Sequence, residues 1–167
     1  MNNLLVAQSG GPTVAINATL VGVLQGVRAS GKVDKVFGAK NGIEGAINDN
    51  LLDLNELVKD TQALDTLTYT PSSALGSCRF KMKDWREDEE TYKKITDTFK
   101  KHGIKYFIYI GGNDSMDTVS KLSRYAATHH SSIRFIGIPK TIDNDLILTD
   151  HTPGYGCAAK YVASTVR

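Results

Sequence analysis

Short apolar runs alternate with helix-spaced apolar stripes along most of the chain. Leu4 to Ala7 is a strand-like run that stops at Ser9-Gly10-Gly11-Pro12. Ile16, Leu20, Val23, Leu24 and Val27 then recur on one helical face, with Pro12 near the start and Gly31 near the end. Val33 to Ala39 reads as a second strand, and Asn41-Gly42 and Gly45 mark turns. Residues 46 to 80 carry no sustained period and predict loop mixed with short elements. Lys81 to Lys105 is dense in charge of both signs. Its Tyr92, Ile95 and Phe99 form a stripe, Glu89–Lys93 and Glu90–Lys94 are favourable i,i+4 pairs, and Gly103 ends it, so it reads as a solvated surface helix.

Tyr106 to Ile110 is the most apolar run in the chain and predicts a strand buried on both faces. Gly111-Gly112-Asn113-Asp114-Ser115 follows, then a helix with Met116, Val119, Leu122 and Ala126 on one face. Ile133 to Ile138 repeats the strand pattern before a polar loop from Pro139 to Pro153. A last helix places Ala159, Val162, Ala163 and Val166 together. This order predicts an α/β fold, a three-layer, Rossmann-like parallel sheet with helices on both faces. The last stripe is still running at Arg167, with no Gly, Asn or Pro to end it, so residues 1–167 are expected to be one lobe cut from a longer chain.

Composition narrows the class without identifying it. At 167 residues the chain suits one domain, and 41% apolar with 23% charged residues disfavours disorder or a disulfide scaffold. A net charge of +2, from 20 basic and 18 acidic residues, predicts neither a nucleic-acid nor a membrane partner. No apolar run approaches a membrane span, and the N-terminus lacks a basic leader, so no signal peptide is expected. Two cysteines, Cys78 and Cys157, are expected as reduced thiols in a cytoplasmic protein.

Three loops should emerge at the carboxyl ends of strands, where open α/β sheets bind ligands. Ser9-Gly10-Gly11 offers close backbone approach and a helix start with free N–H groups, although a tight turn without a ligand reads equally well. Gly111 to Ser115 repeats this and adds a carboxylate, with Asp114 or Ser115 as an N-cap the competing reading. Pro139-Lys140-Thr141-Ile142-Asp143-Asn144-Asp145 packs a cation, a hydroxyl and two carboxylates behind a strand. That set suits phosphate charge and proton abstraction during phosphoryl transfer, and a surface loop with Asx-turns is the bland alternative.

Three features are set aside. Gly154-Tyr155-Gly156-Cys157-Ala158-Ala159 matches a dinucleotide fingerprint but lacks a firm strand before it, so it reads as a helix start. Asn17-Ala18-Thr19 is a glycosylation sequon by pattern only. His129-His130 is a polar helix end.

Taken together, Ser-Gly-Gly near the N-terminus, Ile-Gly-Gly-Asn-Asp-Ser at 110–115 and Pro-Lys-Thr-Ile-Asp-Asn-Asp at 139–145 resemble the phosphofructokinase family, most of all its pyrophosphate-dependent branch. Leu75 to Arg79 and Thr152 to Gly156 support the likeness, which covers essentially the whole chain. The resemblance implies the donor-binding lobe of an enzyme that phosphorylates the 1-hydroxyl of fructose 6-phosphate, with Mg2+ as cofactor. It implies that Asp143 is the base, joined in catalysis by Asp114 and Lys140. Gly11 and Arg79 would meet the phosphoryl donor. Thr141, Ile142, Asp143 and Asp145 would line the sugar-phosphate side, and Asn113 and Asp114 would face the metal.

Donor choice follows from the same likeness. ATP users generally have Gly where Asp114 stands, and many have Gly at Lys140, so pyrophosphate is the expected donor and ATP the alternative. Asn113 departs from the family's usual Asp, which weakens a site for a hard cation and keeps a catalytically impaired regulatory subunit in play. The family chain continues into a second lobe that grips the sugar phosphate, so the segment alone is expected to be inactive and the full-length protein to be a homo-oligomer.

Overall fold

The computed structural model describes residues 1–166; Arg167, where the last stripe was expected to run on, lies outside the described residues. Five strands form one sheet in the order β3-β2-β1-β4-β5, comprising β1 (Asn3–Gln8), β2 (Val36–Ala39), β3 (Leu51–Asp53), β4 (Ile104–Gly111) and β5 (Arg134–Pro139). β1 lies at the centre, and all six of its residues are buried. It pairs in parallel with β2 and β4, and β4 pairs in parallel with β5.

The seven helices described are α1 (Ala15–Ser30), α2 (Ile43–Ile47), α3 (Leu54–Leu57), α4 (Thr61–Tyr69), α5 (Glu89–Lys101), α6 (Asn113–Thr128) and α7 (Tyr155–Thr165). Side chains alternate across β1 and feed two cores. Leu4 and Val6 pack with Ile16, Leu20 and Leu24 of α1 and Leu64 of α4. Leu5 and Ala7 face Ile43 of α2, Tyr92, Ile95 and Phe99 of α5, and Leu122 and Tyr125 of α6. Helices therefore cover both faces, as the alternation of elements predicts. None of the described helices is long and apolar enough to cross a membrane.

Four departures from the sequence reading have physical causes. The sheet is not wholly parallel, because β3 pairs antiparallel with β2. Asp49 at φ 54° reverses the chain just before β3, and so short a return cannot make the crossover that parallel pairing needs. The second strand starts at Val36 rather than Val33, because the segment before it turns back and Asp34 N–H donates to the Asn2 carbonyl. The charged helix starts only at Glu89. Upstream, the N–H groups of Glu87 and Asp88 turn back onto the Asp84 carbonyl, and the Asp88 carboxylate caps the helix through Thr91 N–H. Its outer face is solvated as expected, but Tyr92, Ile95 and Phe99 are fully buried. Finally, α7 buries none of its residues, and its Val162 is exposed.

Candidate functional site

β1, β4 and β5 are neighbours and run parallel, so the three predicted loops leave the same end of the sheet side by side. The chain switches direction across the sheet between β1 and β4, the position where open α/β sheets form a ligand crevice. The N-termini of α1 and α6, each 16 residues long, carry no side-chain cap, and the positive ends of their dipoles face this crevice. A separate cavity of about 740 Å3 lies between α5, α6 and β5, and none of the predicted site residues lines it.

Backbone hydrogen bonds carry the sheet ladder past the strands into the loops. Ser9 N–H donates to the Ile110 carbonyl and Lys140 N–H to the Gly111 carbonyl. Gly10 adopts φ 76°, which a glycine takes without strain. A β-carbon there would stand 3.1 Å from Lys140 Nζ and 3.4 Å from Gly112 N. The first two loops and the Lys140 ammonium thus converge on one point. Gly11 differs, since a β-carbon added to it would meet open space and its φ is not left-handed. Neither its own packing nor its backbone requires glycine there, which leaves room over that peptide for a ligand.

Lys140 is only 8% exposed and forms no ion pair among the described residues. Burial pushes its ammonium below the ordinary value of 10.5. A buried cation without a counter-ion, set between glycine peptides and two helix N-termini, is built to receive an anion.

The third loop is organised by its own side chains. Thr141 Oγ1 accepts the Asp143 N–H at 3.0 Å, leaving the Asp143 residue exposed. Asn144 sits at φ 57° and closes the loop by accepting from Thr152 N–H at 2.8 Å and Thr152 Oγ1 at 3.2 Å. Asn113 Nδ2 donates to Asp145 Oδ2 at 3.3 Å and ties the second loop to the third. Hydrogen bonds from Thr141 and then Asn113 hold the Asp145 carboxyl below its ordinary value. Asp114 lies exposed in the first turn of α6, and Ile142 is exposed as well. Neither Asp114 nor Ser115 caps α6, whose N-cap is Gly112. Arg79 is exposed and directly follows Cys78, whose carbonyl accepts from Ser9 Oγ at 2.9 Å.

The donor set is thin for a metal cage. Among the described residues no three His, Cys, Asp or Glu side chains converge, and Asn113, whose Nδ2 donates to Asp145, offers a metal only its neutral amide oxygen. Magnesium keeps several waters and commonly binds one or two carboxylates plus substrate phosphates. The chain's residues fit an ion delivered with a phosphate ligand.

The set-aside features resolve cleanly. Gly154 is the N-cap of α7 with no strand at 146–148, and His129 is the C-cap of α6. Asn17 lies inside α1, 2% exposed. Its role there was missed, as was that of Gln8. Together they join β1 and α1 to the segment 70–75 through buried and half-buried amide hydrogen bonds. A polar residue on the apolar stripe of α1 was the available signal.

The family model described as phosphofructokinase matches residues 3–167. A pyrophosphate–fructose 6-phosphate 1-phosphotransferase of Xanthomonas campestris is 46% identical over 165 residues, covering 99% of this chain and 38% of that protein. A crystal structure of a pyrophosphate-dependent phosphofructokinase from Nitrosospira multiformis superposes with a TM-score of 0.88 at 43% identity, over 98% of this chain and 40% of the other. An ATP-dependent 6-phosphofructokinase of Vibrio cholerae is 33% identical over 96% of this chain and 45% of its own length. The chain thus spans about two fifths of the length of the pyrophosphate-named relatives it matches.

Proposed function

Because the chain belongs to the phosphofructokinase family, we propose that it supplies the phosphoryl-donor lobe of a longer two-lobed enzyme. That enzyme transfers a phosphoryl group from pyrophosphate to the 1-hydroxyl of fructose 6-phosphate. The observation that carries the reading is Lys140, a buried and unpaired cation at the meeting point of the glycine loops. The names of the relatives at 46% and 43% identity support pyrophosphate as donor.

The terminal phosphate of pyrophosphate lies over Gly11 and Gly112, within reach of Lys140 and the N-terminus of α6. Arg79 holds the outer part of the donor. Asp143 accepts the proton of the sugar 1-hydroxyl, and that oxygen attacks the terminal phosphorus. The bond from phosphorus to the bridging oxygen breaks and inorganic phosphate leaves. Lys140 and the helix N-terminus offset negative charge on the transferred group, the main contribution a protein makes to phosphoryl transfer. Thr141, Ile142 and Asp145 form the sugar-facing wall. Asn113 and Asp114, with Asp145 beside them, would hold a magnesium ion, which would neutralise phosphate charge. The product, fructose 1,6-bisphosphate, enters cytoplasmic glycolysis, and the full-length enzyme acts as a homo-oligomer.

Asp143→Asn in the full-length protein tests this reading. The general base is expected to contribute about 10²–10⁴-fold to kcat, with the KM of both substrates within about threefold of wild type. A kcat loss below about tenfold rejects Asp143 as the base.

A further inference from the structure

We propose that Gln8, Asn17 and Ser73 form a clamp that positions Arg79 for the phosphoryl donor. The inference rests on the functional reading above and assigns Gln8, Asn17 and Ser73 as positioning residues for its donor site.

The clamp begins where β1 hands over to the first glycine loop. Gln8 is fully buried, and Asn17, in the first turn of α1, is 2% exposed. Gln8 Nε2 donates to the Ile16 carbonyl and to Asn17 Oδ1, both at 3.1 Å. Gln8 Oε1 accepts from Ser73 Oγ and Leu75 N–H, both at 2.9 Å. Asn17 Nδ2 donates to the carbonyls of Thr70 at 2.8 Å and Ser72 at 2.9 Å, and its Oδ1 also accepts from Ala74 N–H at 3.0 Å. Both amides therefore use their full complement of donors and acceptors, which fixes which way each one points.

Five of these bonds go to one segment that has no regular structure. Residues 70 to 76 are anchored near their end by Leu75, which is 3% exposed and whose carbonyl accepts from Asn41 N–H at 2.8 Å. The clamp holds them at 70, 72, 73, 74 and 75. The next residues then lie against the first glycine loop. Ser77 Oγ donates to the Gly10 carbonyl at 2.8 Å, and the Cys78 carbonyl accepts from Ser9 Oγ at 2.9 Å. Arg79 is the following residue and is exposed, with no ion pair among the described residues. The chain therefore sets the Arg79 backbone one residue beyond Cys78, beside the loop that carries Gly11. A loop held by five side-chain hydrogen bonds, with a cation at its end that forms no ion pair among the described residues, is organised to present that cation.

The test is a double-mutant cycle between Asn17→Ala and Arg79→Ala in the full-length protein, read by calorimetric binding of pyrophosphate. Arg79→Ala alone is expected to weaken binding about tenfold or more, the loss of one hydrogen bond to a charged group. In the Asn17→Ala background it should cost less than about threefold, because the guanidinium is already misplaced. The KM for fructose 6-phosphate should stay within about threefold in every variant. Ser73→Ala, in the loop rather than the core, repeats the cycle if Asn17→Ala fails to fold. Hydrogen exchange at 75–79 should quicken in both clamp variants, while exchange in β1 stays slow. Full additivity of the two losses, or unchanged exchange at 75–79, overturns the clamp. A parallel rise in the fructose 6-phosphate KM overturns it too, since general destabilisation would then explain the loss. If pyrophosphate binds without turnover, the functional reading fails while the cycle still decides the clamp. If pyrophosphate does not bind the wild type at all, both fall.

Discussion

Replacing Lys140 with Met should separate two effects that ordinary loss of structure would merge. The side chain is 8% exposed, has no ion-pair partner among the described residues, and burial holds its pKa below 10.5. A lysine whose folded pKa is depressed costs stability while protonated. That cost is present in full below the folded pKa and is relieved as pH rises towards 10.5. Met keeps the length and apolar contacts without the charge. Lys140→Met should therefore melt at or above the wild type near neutral pH without ligand, and the gap should close as pH approaches 10.5. Pyrophosphate should behave in the opposite way. A hydrogen bond to a charged group contributes about 1.5–3 kcal/mol, or about 10- to 100-fold in Kd. At a pyrophosphate concentration 100 times the wild-type Kd, the ligand stabilises the wild type by about 2.7 kcal/mol. In the variant the same concentration should give only about 0.4–1.4 kcal/mol. Thermal shift with and without pyrophosphate, across pH, reads both effects. A variant that is destabilised without ligand but shows an undiminished pyrophosphate shift would refute the assignment of Lys140 to the anion.

Gly11→Ala should leave the melting temperature unchanged, because the added carbon meets open space, yet weaken pyrophosphate binding about tenfold or more. Gly45→Ala should do the reverse, since its β-carbon would collide with the Lys40 backbone and cost about 1–3 kcal/mol of stability by thermal denaturation. Asp49 accepts hydrogen bonds from Lys101 and then His102, which depress its pKa below 3.8. Its stabilisation is present above that value and is lost as pH falls through the lower folded one. Asp49→Asn should thus cost under about 1 kcal/mol at neutral pH, with the difference vanishing in strong acid and shrinking in high salt.

The strands and helices that carry the three loops were legible because each has its own period. Leu4 to Ala7, Tyr106 to Ile110 and the stripe through Ile16, Leu20 and Leu24 announce themselves locally, and the loops between them follow by order alone. β3 was hidden because three residues show no alternation, and its direction is set by a turn at Asp49. The solvation of α7 was equally hidden. Its stripe is real, but which stripes find a partner is a property of the tertiary fold. The three site loops were legible as chemistry, whereas the convergence of Gly10, Gly112 and Lys140 needed the parallel register of β1, β4 and β5. The Gln8–Asn17 clamp could not be read from pattern, because its partners lie more than 50 residues away along the chain. Asn17 instead matched a glycosylation sequon, a local coincidence that burial inside α1 rules out as a surface acceptor.

Donor choice tests the central claim most directly. The measurement is kcat/KM for pyrophosphate and for ATP, with fructose 6-phosphate as acceptor, in the full-length wild type and in Asp114→Gly. Asp114 places a carboxylate in the first turn of α6, just after the Gly111-Gly112 turn. Its charge and bulk should exclude the larger donor, so wild type should favour pyrophosphate by about 100-fold or more and Asp114→Gly should lose most of that preference. A wild type that prefers ATP, or a donor ratio unchanged by Asp114→Gly, would contradict the assignment of this crevice to pyrophosphate.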